Sequence, residues 1–128
     1  MDKDFEGWGI KKKEIHYSNK TIPFFNEREV WWCSLGINIG QEQDGKNDDY
    51  QRPVLILRKF NKDVLWIVSI SSKVKNNPYN FAVKNDSGNQ TVILTQLRLV
   101  SSRRLIKKMR TISEDEFKKI KEQLRNLI

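Results

Sequence analysis

The sequence contains little cysteine, histidine or proline, and it lacks any long apolar run. Cys33 and His16 are its single cysteine and single histidine, and three prolines occur in 128 residues. One cysteine excludes an internal disulfide, and one cysteine with one histidine is too few for a usual structural zinc site. A membrane helix needs about 20 apolar residues, and the N-terminus lacks the apolar centre of a signal peptide. We therefore expect a soluble protein of the reducing cytoplasm, with no membrane partner and no disulfide.

Acidic residues are also scarce relative to basic ones. The chain has 24 Lys and Arg against 16 Asp and Glu, which gives a net charge of +8 and a pI near 9.7. A basic surplus of this size is typical of nucleic-acid binders, because clustered cations attract the phosphate backbone. Charge that serves only solubility and an anionic membrane surface are the alternatives. The adjacent acids Asp48 and Asp49 lack a third ligand at suitable spacing, so we expect no metal ion and no other cofactor.

Short apolar or alternating segments predict a mainly β fold. The segments are EVWWCSL from residue 29, PVLILRKF from 53, VLWIVSIS from 64, YNFAVK from 79, TVILT from 91, LRLV from 97 and RLIKKMRTI from 104. Ser113 and Glu116 form a capping box before an amphipathic helix that presents Phe117, Ile120, Leu124, Leu127 and Ile128 on one face. This order predicts a small, partly open β-barrel with a C-terminal helix.

Residues 1–26 are expected to form an N-terminal extension to a domain of residues 27–128. Helical spacing of four residues predicts a short helix in this extension: Phe5, Trp8, Lys12 and Ile15. Glycines weaken the prediction, because each costs about 1 kcal/mol in a helix interior. We expect Phe5 and Trp8 to dock the helix onto the domain.

Arg52 is the first candidate for function. It follows a long polar run, residues 36–51, and precedes Pro53, which biases Arg52 toward extended backbone geometry. Long loops without periodicity are usually functional or disordered. A guanidinium held at the mouth of a strand can bind a phosphate through two parallel hydrogen bonds. A salt bridge to one of the loop acids is the equally weighted alternative.

Further candidates lie at the end of one strand and within another. Ser71 and Ser72 end VLWIVSIS, where a hydroxyl can orient a phosphate, although most such serines only satisfy a turn. Gln96 and Arg98 open a stretch rich in positive charge that also contains Arg103, Arg104, Lys107, Lys108 and Arg110. Strand alternation divides these cations between two faces. A Ser–His–Asp triad is not supported, because the only histidine lies in the extension.

Taken in order, these segments resemble the MazF/PemK family of toxin–antitoxin ribonucleases, from about residue 29 to residue 112. The strand EVWWCSL leads to a loop with G-x-E-Q at 40–43, and R-P-V-L-I follows at 52–56. A strand that ends in a hydroxyl residue occupies 68–71, and V-I-L-x-Q-x-R occupies 92–98. Each motif is weak alone, and their order makes the resemblance specific.

The resemblance implies an SH3-like barrel that forms a homodimer and is blocked by a cognate antitoxin protein. It implies a metal-independent endoribonuclease that cuts single-stranded RNA with the ribose 2′-hydroxyl as nucleophile, leaving a 2′,3′-cyclic phosphate and a 5′-hydroxyl. By motif, Arg52 matches the catalytic arginine and Ser71 the hydroxyl that contacts the scissile phosphate. The other matched positions are the loop residues Glu42 and Gln43, beside the site, and Gln96 and Arg98, across the groove.

Three further assignments accompany the resemblance. Glu42 is the nearest motif candidate for the general base. Ser72 is expected to contact RNA beside Ser71, and Trp31 or Trp32 could stack a base if exposed. A non-catalytic binding module is the alternative, because a sister fold poisons DNA gyrase by protein contact. The presence of both Arg52 and Ser71 favours the enzyme.

Overall fold

Six antiparallel strands and two helices make up the part of the chain that the computed structural model describes, residues 2–73, 77–85 and 88–128. This confirms the prediction of a mainly β fold with a C-terminal helix. The elements are α1 Phe5–Tyr17, β1 Glu29–Ser34, β2 Gln51–Lys59, β3 Val64–Ser71, β4 Asn80–Asn85, β5 Gly88–Ser101, a 3-10 turn Ser102–Arg104, β6 Leu105–Thr111 and α2 Glu114–Leu127. The turn predicted between β4 and β5 falls partly on 86–87, outside the described residues.

The strands form one sheet that curls on itself. Their order is β4-β5-β3-β2-β1-β6, so β4 and β6 are the outer strands. Arg110 of β6 nevertheless donates from Nη2 to Oε1 of Gln90 on β5 at 2.9 Å. A flat sheet would keep these strands far apart, because neighbouring strands lie about 4.8 Å apart. The contact therefore supports the predicted partly open barrel.

β5 is one long strand where the sequence predicted two shorter ones. Its pairing with β3 passes from Ile67↔Arg98 directly to Ser69↔Ile93. The four residues 94–97 therefore stand opposite Val68 alone, which is a large β-bulge. The bulge explains the apparent break between TVILT and LRLV, and it carries Gln96 out of the regular ladder.

Two cores cover opposite faces of the strands. The first core packs the sheet against α2 and contains Val30, Leu55, Leu57, Val68, Ile70, Val83, Val92, Leu94, Ile112, Phe117 and Ile120. The second core contains Phe25, Trp31, Cys33, Leu35, Val54, Ile56, Leu65, Ile67, Val100 and Leu105. Successive side chains of β2 enter alternate cores, so this strand reads as a continuous apolar run.

Both helices follow their predicted caps and apolar faces only in part. Ser113 caps α2, and its Oγ accepts from Glu116 N at 3.1 Å. Ile128, predicted on the apolar face, is 98% exposed because α2 ends one residue earlier. In α1 Trp8 is buried as expected, whereas Phe5 is 54% exposed and does not dock the helix. Within the described residues, neither helix is long and apolar enough to cross a membrane.

Candidate active site

Arg52 and Ser71 project from the same end of the sheet. Val54 of β2 pairs with Ser69 of β3 in the antiparallel ladder. Two residues further along, this register brings Arg52 opposite Ser71, and alternation points both side chains to the same face as Val54 and Ser69. The pairing between β2 and β3 thus brings together two side chains 19 positions apart in sequence.

The Arg52 guanidinium is held by the loop that precedes its strand. Its Nε donates to the backbone carbonyl of Asp44. With the Gln43 amide oriented by the hydrogen-bond network, Gln43 Oε1 accepts from Nη2 at 2.8 Å and from Nη1 at 3.1 Å. Partial burial lowers the pKa of Arg52, and the nearby Asp44 carboxylate opposes this effect. Five N–H groups belong to the guanidinium, so donors remain for a phosphate.

Two adjoining polar clefts open beside Arg52. One, of about 440 Å³, is lined by Arg52 together with loop residues 40–44 and with Thr95 and Gln96 from the β5 bulge. The other, of about 530 Å³, shares Glu42, Gln43 and Gln96 and adds Asn38 and Arg98. Gln43 N donates to Gln96 Oε1 at 3.2 Å, which ties the loop to the bulge. The clefts therefore bring together five predicted site residues: Arg52, Glu42, Gln43, Gln96 and Arg98.

The two loop carboxylates of the clefts differ in their partners. Glu42 is exposed, and its Oε1 accepts from the backbone N of Ile39 at 2.9 Å. The Asp44 carboxylate accepts from Asn38 N at 2.6 Å and pairs with Lys3 Nζ at 2.9 Å. Arg52 thus bonds the carbonyl of Asp44, while the carboxylate of Asp44 is bound by other groups. The salt bridge considered for Arg52 is not its main contact.

Ser71 and Ser72 lie at the end of β3, outside the linings of both clefts. Ser71 Oγ accepts from Lys73 N at 3.2 Å, which leaves its hydroxyl hydrogen available as a donor. Ser72 is exposed. Ser71 therefore faces the same end of the sheet as Arg52, and Ser72 lies one position further into the turn.

The prediction that Trp31 stacks an RNA base is wrong. Trp31 is 5% exposed and belongs to the second core. Its Nε1 donates to Glu29 Oε1 at 2.9 Å, and Glu29 Oε2 pairs with Lys108 at 3.2 Å. A ring enclosed in this way has no face for a base. Trp32, on the opposite face of β1, is only half-buried.

Cys33 lies directly opposite Arg52 in the ladder between β1 and β2 but is chemically shielded. Burial raises the pKa of its thiol to about 12, although Arg104 and Arg98 act in the lowering direction. Only the thiolate is an effective nucleophile. We expect no reaction of the native protein with an aromatic disulfide reagent at pH 8, and labelling of the single thiol after unfolding. Thiol titration with and without denaturant measures this, and rapid native labelling would contradict the burial.

Contacts from the N-terminal segment to the loop were missed at the level of sequence. Lys3 pairs with Asp44, and Asp4 Oδ2 accepts from Tyr50 Oη at 3.0 Å. Glycines were the available signal: a Cβ at Gly7 would overlap Asp4 and Tyr50. Gly7, which weakened the helix prediction, is thus explained by close approach of α1 to the loop.

No group of three or more His, Cys, Asp or Glu side chains is placed to hold a metal ion in residues 2–73, 77–85 and 88–128. The charged groups that line the two clefts are Arg52, Arg98, Glu42 and Asp44. Their arrangement suits an anion that is bound by guanidinium and amide groups.

A family model described as PemK-like, MazF-like toxin of type II toxin–antitoxin systems matches residues 26–128. The chain belongs to this family. The motif-based prediction is therefore confirmed, and the chain is a toxin-family protein of a toxin–antitoxin system. The search of curated protein sequences gave no significant match.

Solved structures of the family share the fold. A MazF structure from Deinococcus radiodurans (Form-I) has a TM-score of 0.69 and 19% identity, with 84% of this chain and 97% of that chain covered. The toxin MazF-mt6 of Mycobacterium tuberculosis has a TM-score of 0.60 and 15% identity, with 77% and 94% covered. A MazE–MazF structure from D. radiodurans has a TM-score of 0.63 and 16% identity, with 84% and 96% covered. These likenesses confirm the fold expected for the family.

Proposed function

We propose that this toxin-family protein is a metal-independent endoribonuclease that cleaves single-stranded RNA beside Arg52. The observation that carries the proposal is the guanidinium itself. It is half-buried, fixed by the Asp44 carbonyl and the Gln43 amide, and open to a polar cleft. A fixed guanidinium stabilises a phosphate better than a mobile one, because little reorganisation accompanies the reaction.

In the proposed reaction the ribose 2′-oxygen attacks the adjacent phosphorus. The bond from phosphorus to O2′ forms, the bond to O5′ breaks, and the products are a 2′,3′-cyclic phosphate and a 5′-hydroxyl. Negative charge grows on the two non-bridging oxygens in the transition state. Arg52 and the Ser71 hydroxyl donate to these oxygens, and one such preorganised donor is worth about 3–4 kcal/mol of barrier lowering.

We assign Glu42 as the general base that takes the 2′-hydroxyl proton. Two carboxylates line the cleft, and that of Asp44 is already engaged by Lys3 and by Asn38 N. Glu42 is exposed and retains acceptor capacity beyond its bond from Ile39 N. Arg52 is a poor proton donor because its pKa is high, so the leaving 5′-oxygen takes its proton from water.

RNA contacts beyond the reacting phosphate come from the two clefts and from the turn after β3. Gln43, Gln96 and Arg98 offer amide and guanidinium groups that can reach base edges and phosphates. Ser72 is available to a neighbouring phosphate because it is exposed. The net charge of +8 adds attraction that weakens as salt is raised.

Two protein partners are part of the proposal. An exposed apolar patch of Phe60, Trp66 and Leu99 spans β3 and β5, with Phe60 and Trp66 in edge-to-face contact at 5.1 Å. Such a surface suits a second copy of the chain in a homodimer. The other partner is an antitoxin: the related structure is of MazE with MazF. An acidic antitoxin segment would compete with RNA for the basic surface, and cytoplasmic RNA is the expected target.

The proposal is tested by incubating the purified protein with mixed-sequence RNA in excess EDTA. We expect discrete products whose 3′ ends carry a cyclic phosphate and whose 5′ ends are hydroxyls. Cleavage that appears only when a divalent metal is added would contradict the metal-independent mechanism. Tight RNA binding without any cleavage would favour the binding-module alternative.

A further inference from the structure

The N-terminal segment, residues 2–17, is attached to the loop of residues 36–50 at its cleft end. Lys3 Nζ pairs with Asp44 Oδ2 at 2.9 Å and donates to the carbonyls of Asn38 at 2.6 Å and Gly40 at 3.1 Å. The Lys3 and Asp44 side chains are only 22% and 25% exposed, so solvent screens this pair less than a surface pair. Asn38, Gly40 and Asp44 all line the clefts.

A second group of contacts fixes the opposite end of the loop. Asp4 Oδ2 accepts from Tyr50 Oη at 3.0 Å, and Lys11 Nζ pairs with Asp49 Oδ1 at 3.0 Å. The buried Trp8 ring lies 5.4 Å from the Tyr50 ring. Gly36 has a φ of +77°, and any Cβ there would overlap the Trp8 ring. The close fit of Trp8 against the start of the loop therefore requires glycine at position 36.

These contacts matter for Arg52 because the loop holds its guanidinium. Lys3 binds the carboxylate of Asp44, and the carbonyl of the same residue accepts from Arg52 Nε. The neighbouring residue, Gln43, accepts from the guanidinium through its side chain. A polar loop anchored only at its ends would sample many conformations. Anchoring it at residues 36, 38, 40, 44, 49 and 50 restricts the positions open to Arg52.

We infer that residues 2–17 act as a positioning strap: Lys3, Asp4 and Trp8 hold the loop so that Arg52 keeps its reactive geometry. The inference rests on the proposed function, and it concerns a segment that lies outside the family match of residues 26–128. The three residues are positioning residues and act through Asp44, Gln43 and Tyr50. A misplacement of about 1 Å can cost about 100-fold in rate, so loosening the loop should lower kcat more than it raises KM.

Lys3→Ala, Lys3→Arg and the control Lys13→Ala test the strap. Lys13 is an exposed lysine of α1, so its replacement removes the same charge from the same segment. Steady-state cleavage of one RNA gives kcat and KM, and hydrogen exchange of the amides of residues 38–50 reports loop order without reference to activity. We expect Lys3→Ala to lower kcat at least about tenfold with KM changed less than about threefold. We also expect it to accelerate exchange in the loop, Lys3→Arg to restore both readouts, and Lys13→Ala to alter neither.

Several outcomes would overturn the inference. Unchanged loop exchange in Lys3→Ala would show that the strap does not order the loop. Faster exchange with unchanged kcat would show that loop order does not position Arg52. Equal losses from Lys3→Ala and Lys13→Ala would assign the effect to general charge. If the wild-type protein cleaves no RNA, the proposed function fails and takes the catalytic part of the inference with it, while the exchange measurement still decides whether the strap orders the loop.

Discussion

Arg52→Ala should lower the rate of RNA cleavage by about 100- to 1,000-fold, the usual effect of removing one preorganised donor to a developing oxyanion. The guanidinium is the cationic group at the centre of the cleft, and the Asp44 carbonyl and Gln43 amide already hold it in place. Its loss leaves the growing phosphoryl charge without its main partner. Single-turnover cleavage at saturating protein measures the effect, because it isolates chemistry from RNA binding.

Arg58→Ala provides the matched control. Arg58 lies on the same strand as Arg52 and is exposed, so its replacement removes the same charge away from the clefts. We expect Arg58→Ala to cleave within about threefold of the wild-type rate, since surface charges are screened. Arg52→Lys should recover only part of the activity, because an ammonium cannot reproduce the two-pronged guanidinium contact. Equal losses from Arg52→Ala and Arg58→Ala would mean that overall charge, and not a positioned arginine, drives cleavage.

Trp31→Ala should lower the free energy of unfolding by about 3–5 kcal/mol, as expected for truncating a buried aromatic side chain. Total stabilities of domains are about 5–15 kcal/mol, so this is a large fraction. The change also removes a donor to Glu29. Burial alone would raise the pKa of Glu29, but hydrogen bonds from Trp31, Asn26 and Lys108 outweigh it and leave the pKa lowered. Urea unfolding monitored by circular dichroism measures the loss.

Trp32→Ala is the natural comparison for this prediction. Trp32 follows Trp31 in β1 but is half-buried on the other face, so we expect a smaller loss of stability. Trp31→Phe should retain most of the packing and lose only the hydrogen bond to Glu29, at about 1–3 kcal/mol. If Trp31→Ala unfolds like the wild type but binds RNA more weakly, the ring would serve the interface and not the core.

Local sequence signals were sufficient for most of the fold. Alternating apolar residues marked the strands, and Ser113 with Glu116 marked the start of α2. The continuity of β5 could not be predicted in the same way. Its bulge at 94–97 is stabilised by distant partners, such as the carbonyl of Tyr79, which accepts from Leu94 N at 2.9 Å. The polar Thr95 and Gln96 therefore looked like a strand end.

The candidate site was predictable where its signals were local. Arg52 stood out because Pro53 follows it and a long polar loop precedes it. Trp31 was misassigned because alternation separates Trp31 from Trp32 without telling which face is covered. The strap was missed because its contacts join distant positions: Lys3 with Asp44, and Trp8 with Gly36. Only the glycines hinted that two backbones approach closely.

Single-turnover cleavage of one RNA oligonucleotide in EDTA, beside the same oligonucleotide with a single 2′-deoxy nucleotide at the mapped cut position, tests the proposed chemistry most directly. We predict that the wild-type protein cuts the first and leaves the second intact at that position, while both bind with similar affinity. This result would identify the 2′-hydroxyl as the nucleophile. Cleavage at the deoxy position would contradict the mechanism, and binding without cleavage of either oligonucleotide would contradict the assignment of this cleft as a ribonuclease site.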